Sequence, residues 1–413
     1  MTDIYPYGLI AEDPATEAVI CWADDRDGAD GSSQTLDWDD GSASSDGELV
    51  PESDDAYLYS VTIDGLDEDT GYSGTIDGEE SVEWQTLPTD ASSEITILLA
   101  SDFHSNQTSG IRVDSAEKMR PLANQDPDVF VFGGDLVENT DEVTAEHTED
   151  YLHWWENLYG EFDRLVPMFI VPGNHEVGGG ETYDGSSPMP ADNGYFQFWF
   201  KNPVELDPDG LNYGAVTIGD YIQLVGLDTH SADIEDSGEW LTDTLDESVD
   251  YCVPFQHAPL LPGGFRSDAD EDLMERLRDS WAEHLITAPN VYASFSGHIH
   301  VRKRTNSVGF DLDDAPDSIE LADGYIVKDG EGGLIEYGDG YRTGRDLIEE
   351  WYLRYNADDG HFYTVEIDDS FMTVAERDAE GSINRRDYFG ASELIVESDN
   401  ELTVESDNDL PIR

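Results

Sequence analysis

Five short polar clusters in the sequence contain residue types that bind divalent metal ions. They hold Asp, Asn and His side chains, and five of the ten histidines fall within them. Each cluster alone is a weak signal, because Asp-x-His arises by chance in so acidic a chain. Together, in this order and each after an apolar run, they predict one shared metal site. The clusters are residues 100–104, 133–139, 171–176, 256–259 and 296–300.

The spacing inside two clusters supports this prediction. Residues two apart on a strand point to the same side, about 6.5 to 7 Å apart along it. Asp102 and His104 can therefore converge on one point, and so can His298 and His300. Neutral imidazole and carboxylate together suit Zn, Mn and Fe, whereas an all-carboxylate cage would suit Ca or Mg.

Six apolar runs, five of which lie before the clusters, indicate strands that are buried on both faces. Helical patterns lie between several of them, at 142–165, 239–245 and 269–286. This alternation predicts an α/β layered domain, in which ligand-type residues lie beyond the carboxyl ends of the strands. Glycines before Asp135, Asn174 and His298 would let the backbone turn tightly beside the ions. The apolar runs are residues 95–100, 129–132, 168–171, 222–225, 251–253 and 291–295.

Residues 1–88 have a different, all-β pattern, with short apolar or alternating runs separated by Gly, Asp and Ser. Residues 66–72 resemble the tyrosine corner of fibronectin type III domains, in which a Tyr hydroxyl ties one strand crossing to the backbone. We interpret this part as a structural β-sandwich that buries Trp22; the alternative is a binding module. Residues 89–93 are a polar linker, residues 94–390 form the α/β domain, and residues 391–413 repeat the motif VESDN. This repeat predicts a terminal hairpin or a strand that docks on the sheet.

The charge of the chain excludes one class of function. The formal net charge is −74 at pH 7, which repels phosphate backbones and makes non-specific nucleic-acid binding untenable. The acids are spread along the chain and there are only four lysines, as in proteins of extreme halophiles. At 1 M salt the Debye length is about 3 Å, so self-repulsion is mostly screened. A cation-binding role for the acidic runs is the alternative.

Other features of the composition limit the class of protein. The 9 Trp, 20 Tyr and 15 Phe exclude a wholly disordered chain. Cys21 and Cys252 are expected to be buried free thiols. No run of about 18 apolar residues indicates a membrane span. The start lacks the basic and apolar regions of a signal peptide, which favours the cytoplasm by default, with association with a cell surface or a virion as the alternative.

With these motifs in view, the sequence resembles the calcineurin-like metallophosphoesterases, whose motifs run DxH, GDxx, GNH(E/D), H and GHxH. The resemblance covers residues 94–390, and the form of the motifs resembles purple acid phosphatases. It implies a four-layer β-sandwich flanked by helices, preceded here by the fibronectin type III-like sandwich. It also implies two divalent ions, such as Mn, Fe or Zn.

Matched motif by motif, the resemblance implies a role for each polar residue. Asp135 would bridge the two ions and His175 would be an acid that faces the leaving group. The first ion would be held by Asp102, His104, Asp135 and His300. The second ion would be held by Asp135, Asn174, His257 and His298.

The chain departs from the purple acid phosphatase pattern at two positions. That group usually has Gly where this chain has His104, and a Tyr ligand where it has Glu138. The Tyr gives ferric iron its charge-transfer colour. We therefore expect a colourless or faintly coloured protein with divalent metals.

The implied function is hydrolysis of phosphate monoesters on a phosphorylated small molecule at high salt, by a metal-activated hydroxide with Asp135 and His175 as catalytic residues. One alternative is a phosphodiesterase or nucleotide hydrolase. Another is a structural or binding component of a halophile surface or virus particle, assembled through the N-terminal β domain. Further substrate contacts are expected at His230, Arg302 and Arg304. The alternative is surface packing for His230 and ion pairs with carboxylates for the two arginines.

Overall fold

The computed structural model describes most of the chain. The described residues are 4–26, 28–51, 53–90, 92–104, 116–137, 151–152, 154–155, 159–176, 194–200, 214–230, 234–261, 268–305, 308–310, 325–327, 334–338, 353–357, 360–389, 394–398 and 401–405.

The described residues form 25 strands in four sheets, together with a few short helices. The strands are β1 Ile4–Leu9, β2 Glu17–Asp24, β3 Gln34–Trp38, β4 Gly41–Ser45, β5 Glu48–Leu49, β6 Tyr57–Asp64, β7 Gly71–Ile76, β8 Glu80–Gln85, β9 Ile95–Ala100, β10 Val129–Phe132, β11 Pro167–Ile170, β12 Gly214–Ile218, β13 Ile222–Leu227, β14 Tyr251–Gln256, β15 Ala293–Ser296, β16 Arg302–Thr305, β17 Val308–Phe310, β18 Tyr325–Val327, β19 Ile335–Gly338, β20 Leu353–Ala357, β21 His361–Ile367, β22 Met372–Asp378, β23 Ile383–Phe389, β24 Leu394–Ser398 and β25 Glu401–Glu405. The helices are α1 Ala116–Ala123, a 3-10 turn Tyr159–Glu161, α2 Gly194–Trp199, α3 Ile234–Thr244, α4 Asp268–Leu277, a π-helical turn Arg278–Ala282 and α5 Glu283–Thr287.

Two sheets pack face to face in the larger part of the molecule. In the first, β9, β10 and β11 run parallel and β21 joins β9 antiparallel. In the second, β13, β14, β15 and β19 run parallel. Ile97 and Leu99 of β9 share a buried cluster with Leu224 and Phe255 of the second sheet. Leu98 points the other way into a second buried cluster, which confirms the prediction of strands buried on both faces.

Helices cover the outer face of the second sheet. Leu241, Leu273 and Trp281 of these helices pack with Leu227 in a third apolar cluster. The helical pattern predicted at 269–286 corresponds to the run from α4 through the π-helical turn to α5.

Of the helix predicted over 142–165, residues 151–152 and 154–155 are helical, whereas the C-terminal end differs from the prediction. Residues 159–161 form the 3-10 turn and residues 162–165 leave the helix. The reason is a backbone contact with the N-terminal part of the chain, because the N–H of Leu165 donates to the carbonyl of Glu83 at 2.7 Å. Residues 142–150 lie outside the described residues.

The N-terminal part is a sandwich of two antiparallel layers. One layer has the strand order β1-β2-β6-β5 and the other β4-β3-β7-β8. Trp22 is fully buried, as predicted, and stacks on Tyr59 with ring centroids 5.4 Å apart. The hydroxyl of Tyr72 accepts a hydrogen bond from the backbone N–H of Asp67 at 2.7 Å. The tie between hydroxyl and backbone that the sequence predicts is therefore present.

The N-terminal sandwich and the larger part share one sheet. Strand β1 pairs in parallel with β11, with Gly8 opposite Pro167 and Leu9 opposite Met168. The result is a continuous sheet of 12 strands in the order β25-β24-β23-β22-β21-β9-β10-β11-β1-β2-β6-β5. Segment 89–93 therefore joins two parts of the chain that are also hydrogen-bonded through β1 and β11.

The remaining predictions about the fold concern the C-terminus and the cysteines. Strands β24 and β25 form a hairpin that adds to the sheet beside β23, as the VESDN repeat predicts.

Cys21 and Cys252 are free and buried, which confirms the prediction. Burial raises the pKa of the Cys252 thiol to about 12. Within the described parts of the chain, no helix has the length and apolar character needed to cross a membrane.

Candidate metal centre

The seven predicted ligand side chains come together at one end of the central sandwich. They lie in loops that follow the carboxyl ends of the parallel strands β9, β10, β11, β14 and β15. All of them are buried, with at most 8% of any residue exposed. The seven are Asp102, His104, Asp135, Asn174, His257, His298 and His300.

The first group of ligand-type atoms belongs to Asp102, His104, Asp135 and His300, and these atoms all lie within 4.8 Å of one another. The Nε2 atom of His300 is 3.0 Å from Oδ1 of Asp102, and the Nε2 atom of His104 is 3.5 Å from Oδ2 of Asp135. The two Nε2 atoms of His104 and His300 are 3.1 Å apart. Two imidazoles therefore aim the same nitrogen at one point between two carboxylates.

The second group shares Asp135 with the first. Its other members are His257 and His298, again with ligand atoms within 4.8 Å of one another. The Nε2 atom of His257 is 3.3 Å from Oδ2 of Asp135. Asn174 adds an amide oxygen, which lies 3.1 Å from Nε2 of His257 and 2.9 Å from Nδ1 of His298. Asp135 is thus placed between two clusters of nitrogen and oxygen atoms.

The backbone at these residues is unusual. Left-handed conformations are uncommon for residues other than glycine, and each costs on the order of 1–3 kcal/mol. The loops hold one another in this conformation through backbone hydrogen bonds from Asp102 N to Gly134 O (3.0 Å) and from His104 N to Asp135 O (2.9 Å). Five ligand residues have φ between +47° and +68°: Asp102, His104, Asp135, His298 and His300.

Two glycines make the close approach of these loops feasible, as the sequence predicts. A Cβ atom on Gly173 would collide with Oδ1 of Asp135. Gly134 has φ +91°, and a Cβ atom there would lie 2.5 Å from the backbone nitrogen of Gly173 and 2.8 Å from Nδ1 of His257. Any larger residue at either position would push the loops apart.

The charged groups of the site shift one another's pKa values. Burial alone would raise the pKa of Asp102 and of Asp135, but the surrounding imidazoles, led by His300 and His257 respectively, hold both carboxyl groups below their usual range. Burial alone would lower the pKa of His257, but Asp135 and Asp102 raise it to about 9. Both carboxylates are therefore ionised at neutral pH, as metal ligands must be.

The residues fit a metal centre by their chemistry. His257 donates from Nδ1 to the carbonyl of Gly133 at 2.7 Å, which leaves Nε2 as the nitrogen that faces Asp135 and Asn174. Histidines that bind metals usually donate their other ring N–H to a carbonyl or carboxylate in this way. A buried set of imidazole nitrogens and carboxylate oxygens suits Zn, Mn or Fe.

Glu176 organises the site and was not among the predicted residues. Its buried carboxylate accepts the backbone N–H groups of Asp135 and Gly173, both at 2.7 Å, and those of Leu136 at 2.6 Å and Val137 at 3.3 Å. Burial and the neighbouring Asp135 raise the pKa of Glu176 to about 7. The residue ties the loop of Asp135 to the loop of Asn174. The signal in the sequence is its place as the last residue of the GNH(E/D) motif, directly after His175.

His175 lies at the open side of the same site. Its backbone N–H donates to Oδ1 of Asp135 at 3.0 Å, and its Nε2 is 3.8 Å from Oδ2 of that residue. Its side chain is 14% exposed, whereas His104 and His257 beside it are fully buried. Among these three imidazoles, His175 is therefore the one that a molecule from solution can reach.

His230 lies beside the second group, buried, with its ring centroid 5.2 Å from that of His257 and 5.4 Å from that of His298. Its Nδ1 atom is 2.7 Å from the hydroxyl of Thr229. The structure thus places His230 next to the candidate ligands rather than in surface packing.

The two predicted arginine contacts are engaged elsewhere. Arg302 pairs with Glu376 at 2.9 Å. Arg304 is buried and pairs with Asp387 at 2.6 Å. The structure therefore favours the ion-pair alternative for both residues. Glu138, at which the sequence departs from the purple acid phosphatase pattern, lies outside the described residues.

Comparison with known proteins identifies the class to which this fold and site belong. The family model for calcineurin-like phosphoesterases matches residues 95–302, which is 208 of the 413 residues. The chain therefore belongs to the calcineurin-like phosphoesterase family, a class of hydrolases that act on phosphate esters. The matched range includes all seven candidate ligands and His175.

Individual relatives are more distant. The serine/threonine-protein phosphatase CPPED1 of Pongo abelii is 27% identical over 188 residues, which cover 43% of this chain and 54% of that protein. The human protein of the same name is 26% identical over 188 residues, with the same coverage. The chain thus spans about half the length of these relatives. Among solved structures, GAP50, the anchor in the inner membrane complex of Plasmodium, matches with a TM-score of 0.40 and 13% identity over 72% of this chain and 89% of that chain.

Proposed function

We propose that the protein hydrolyses phosphate monoesters at a centre of two divalent cations. The observation that supports this most directly is the pair of ligand groups that share Asp135. Relatives named serine/threonine-protein phosphatases act on monoesters, which favours that substrate class over diesters.

In this proposal each ion has four protein ligands, and the ions are Mn, Fe or Zn. When bound, such ions neutralise phosphate charge and lower the pKa of water, which provides a nucleophile near neutral pH. The first ion would be held by Asp102, His104, Asp135 and His300. The second would be held by Asp135, Asn174, His257 and His298.

The charge of the ligand set explains how so acidic a protein could attract a phosphate. The set contains only two carboxylates, Asp102 and Asp135, and its other members are neutral when they bind a metal. With both ions bound, the centre would carry a net positive charge in a chain of net charge −74. Because the centre is buried, this local attraction is screened far less than the surface charge.

His175 would protonate the leaving alkoxide. It is the most accessible of the three imidazoles described above, and its backbone is fixed to Asp135, which positions the ring at the side from which substrate enters. Proton transfer from a positioned side chain contributes typically about 10² to 10⁴-fold in rate.

His230 would donate a hydrogen bond to the substrate phosphate. The hydroxyl of Thr229 accepts the N–H of Ala258 at 3.1 Å and can donate its own hydrogen to Nδ1 of His230. The ring proton of a neutral His230 then sits on Nε2. This assignment makes His230 a donor beside the second ligand group.

The proposal is tested with a chromogenic phosphate monoester and Mn²⁺ in molar KCl. We expect two bound ions per chain by elemental analysis, and a loss of about 10²-fold or more in kcat for His175→Asn with both ions retained. His284→Asn is the matched control, since His284 lies on α5, away from the site. Full activity of His175→Asn, or of an Asp135→Asn variant, would contradict the mechanism.

The same assay separates the two substrate classes. The protein is expected to hydrolyse the monoester faster than a matched diester or a nucleotide. A preference for the diester would favour the phosphodiesterase alternative. Absence of turnover on all of them, together with stable incorporation into a larger assembly, would favour a structural role.

We further propose that residues 1–88 are a fibronectin type III-like sandwich, that the larger part at 94–390 is of the purple acid phosphatase-like form, and that the protein is adapted to high salt. The strand orders β1-β2-β6 and β4-β3-β7-β8 support the first point, and the net charge of −74 supports the third. Adaptation to salt predicts that the free energy of unfolding rises as KCl is raised to molar concentrations.

A further inference from the structure

The segment that follows β14 carries His257 and is buried throughout. Residues 257–261 have no strand partner along most of their length, so their backbone N–H and C=O groups need other hydrogen-bonding partners. Three charged side chains bind four of these groups: Glu336, Lys303 and Arg278.

Glu336 binds the N–H groups of this segment. The side chain projects from β19, and its residue is only 1% exposed. Its Oε1 accepts the N–H of Leu260 at 2.8 Å and its Oε2 accepts the N–H of Leu261 at 2.9 Å. The amide of Gln256, the residue before His257, donates to Oε1 at 3.4 Å. The carboxylate therefore contacts the chain on both sides of His257.

Two cations bind the carbonyl groups of the same segment. Arg278 donates from Nη1 to the carbonyl of Leu260 at 2.8 Å. Lys303 donates from Nζ to the carbonyl of Leu261 and to Oε2 of Glu336, the latter at 2.8 Å. Both partners of the pair Lys303–Glu336 are fully buried. A buried carboxylate is costly unless it is paired and hydrogen-bonded, and this one is both.

Lys303 also connects this network to the turn that carries His298 and His300. It lies on β16, three residues after His300. Its aliphatic stem packs against Gly338, where any side chain would collide with it. Only four lysines occur in the chain, and this one is entirely enclosed. Its position inside the molecule indicates a role other than surface charge.

We infer that Glu336 is a positioning residue for His257, with Lys303 as its counter-charge and Arg278 as a second anchor of the same backbone. The inference rests on the proposed two-ion centre, in which His257 and His298 belong to the second ion. Glu336 touches no candidate ligand side chain in the contacts described, so it acts through the backbone of residues 256–261. Loss of its carboxylate should therefore lower the affinity for the second ion and leave the affinity for the first ion unchanged.

The test is a Mn²⁺ titration by calorimetry on the full chain in molar KCl. The wild type is expected to bind two ions. Glu336→Gln should bind the first ion as the wild type does and the second about tenfold or more weakly, since loss of residues that orient a ligand typically costs 10- to 100-fold in affinity. Asp24→Asn is the matched control, because it neutralises another buried, ion-paired carboxylate far from the site and should leave both affinities unchanged.

A double variant distinguishes positioning from charge balance. Lys303→Met with Glu336→Gln removes both charges, but a glutamine amide has one acceptor oxygen, so one of the two N–H groups, that of Leu260 or that of Leu261, still lacks its acceptor. We expect the second ion to stay weakly bound. Recovery of wild-type affinity in the double variant would overturn the inference, as would two ions bound equally tightly by Glu336→Gln.

Arg278→Met provides the same test if Glu336→Gln does not fold, as judged by circular dichroism. It removes one hydrogen-bond donor to the segment and leaves the buried pair Lys303–Glu336 intact. The affinity for the second ion should therefore fall, by a smaller factor than in Glu336→Gln. Unchanged affinity in a folded Arg278→Met variant would then refute the inference. A wild type that binds fewer than two ions would instead remove the proposed centre, and the inference with it.

Discussion

Tyr7 tests whether the N-terminal sandwich and the larger part unfold as one body. Its side chain is fully buried where β1 meets β11, and its ring stacks on Trp155 with centroids 3.9 Å apart. Its hydroxyl donates to the carbonyl of Trp199 at 2.8 Å. Tyr7→Phe removes the hydroxyl with its hydrogen bond to Trp199 and keeps the ring, and it should cost about 1 kcal/mol. Tyr7→Ala also removes the ring and should cost about 4 kcal/mol, as large-to-small changes in a core do.

The assay is urea unfolding in molar KCl, followed both by tryptophan fluorescence and by phosphatase activity. Because one sheet crosses both parts, we expect the two probes to shift to lower urea together in Tyr7→Ala. Phe371→Ala, at an exposed site, should change the free energy of unfolding by less than about 0.5 kcal/mol. An early fluorescence transition in Tyr7→Ala, with the activity midpoint unchanged, would show that the two parts unfold independently and would refute this reasoning.

Four further predictions concern single groups. Glu176→Gln should lower the free energy of unfolding by about 3 kcal/mol in urea unfolding, because the glutamine amide keeps one acceptor oxygen and the buried N–H groups bound by the other oxygen lose their partner. Tyr72→Phe should lower it by about 1 kcal/mol in the same assay, through loss of the contact with Asp67. Cys252, buried and with a pKa raised to about 12, should not react with a thiol reagent at pH 8 until the protein is denatured; rapid labelling of the native protein would contradict this. Although burial opposes it, Arg304 holds the pKa of Asp387 below its usual value, so the carboxylate stabilises the fold above about pH 4 and this contribution is lost as the pH falls through the native pKa. In Asp387→Asn the free energy of unfolding should therefore fall less steeply as the pH is lowered into the acid range. An unchanged pH dependence would refute this role of Asp387.

Local patterns in the sequence were sufficient to find the ligand clusters. Each cluster directly follows an apolar run, and parallel strands bring their carboxyl ends to one edge, so Asp102 and His257 meet although 155 positions separate them. The pairing of β1 with β11 was not predictable in the same way. Edge pairing between distant strands depends on which edge is left unpaired, and no single segment records that.

The roles of individual charged residues were harder to predict for a related reason. In a chain with 94 acidic residues, nearly any Arg can find a carboxylate, so the sequence does not distinguish an ion pair from a phosphate contact at Arg304. Glu336 is likewise one acid among many, and Glu176, although it ends the GNH(E/D) motif, is not marked in the sequence as a residue that binds four backbone N–H groups. Their importance depends on the backbone N–H groups they meet, and these become visible only when loops from different strands are brought together.

The left-handed backbone at His104 has a consequence for how such centres can diversify. With φ at +47°, His104 has a backbone conformation that glycine adopts at no steric cost. An exchange between the two residues would therefore add or delete one imidazole while the path of the loop stays the same. In the course of evolution, a single substitution at this position could therefore change which metal ion the site prefers, without a change in the backbone.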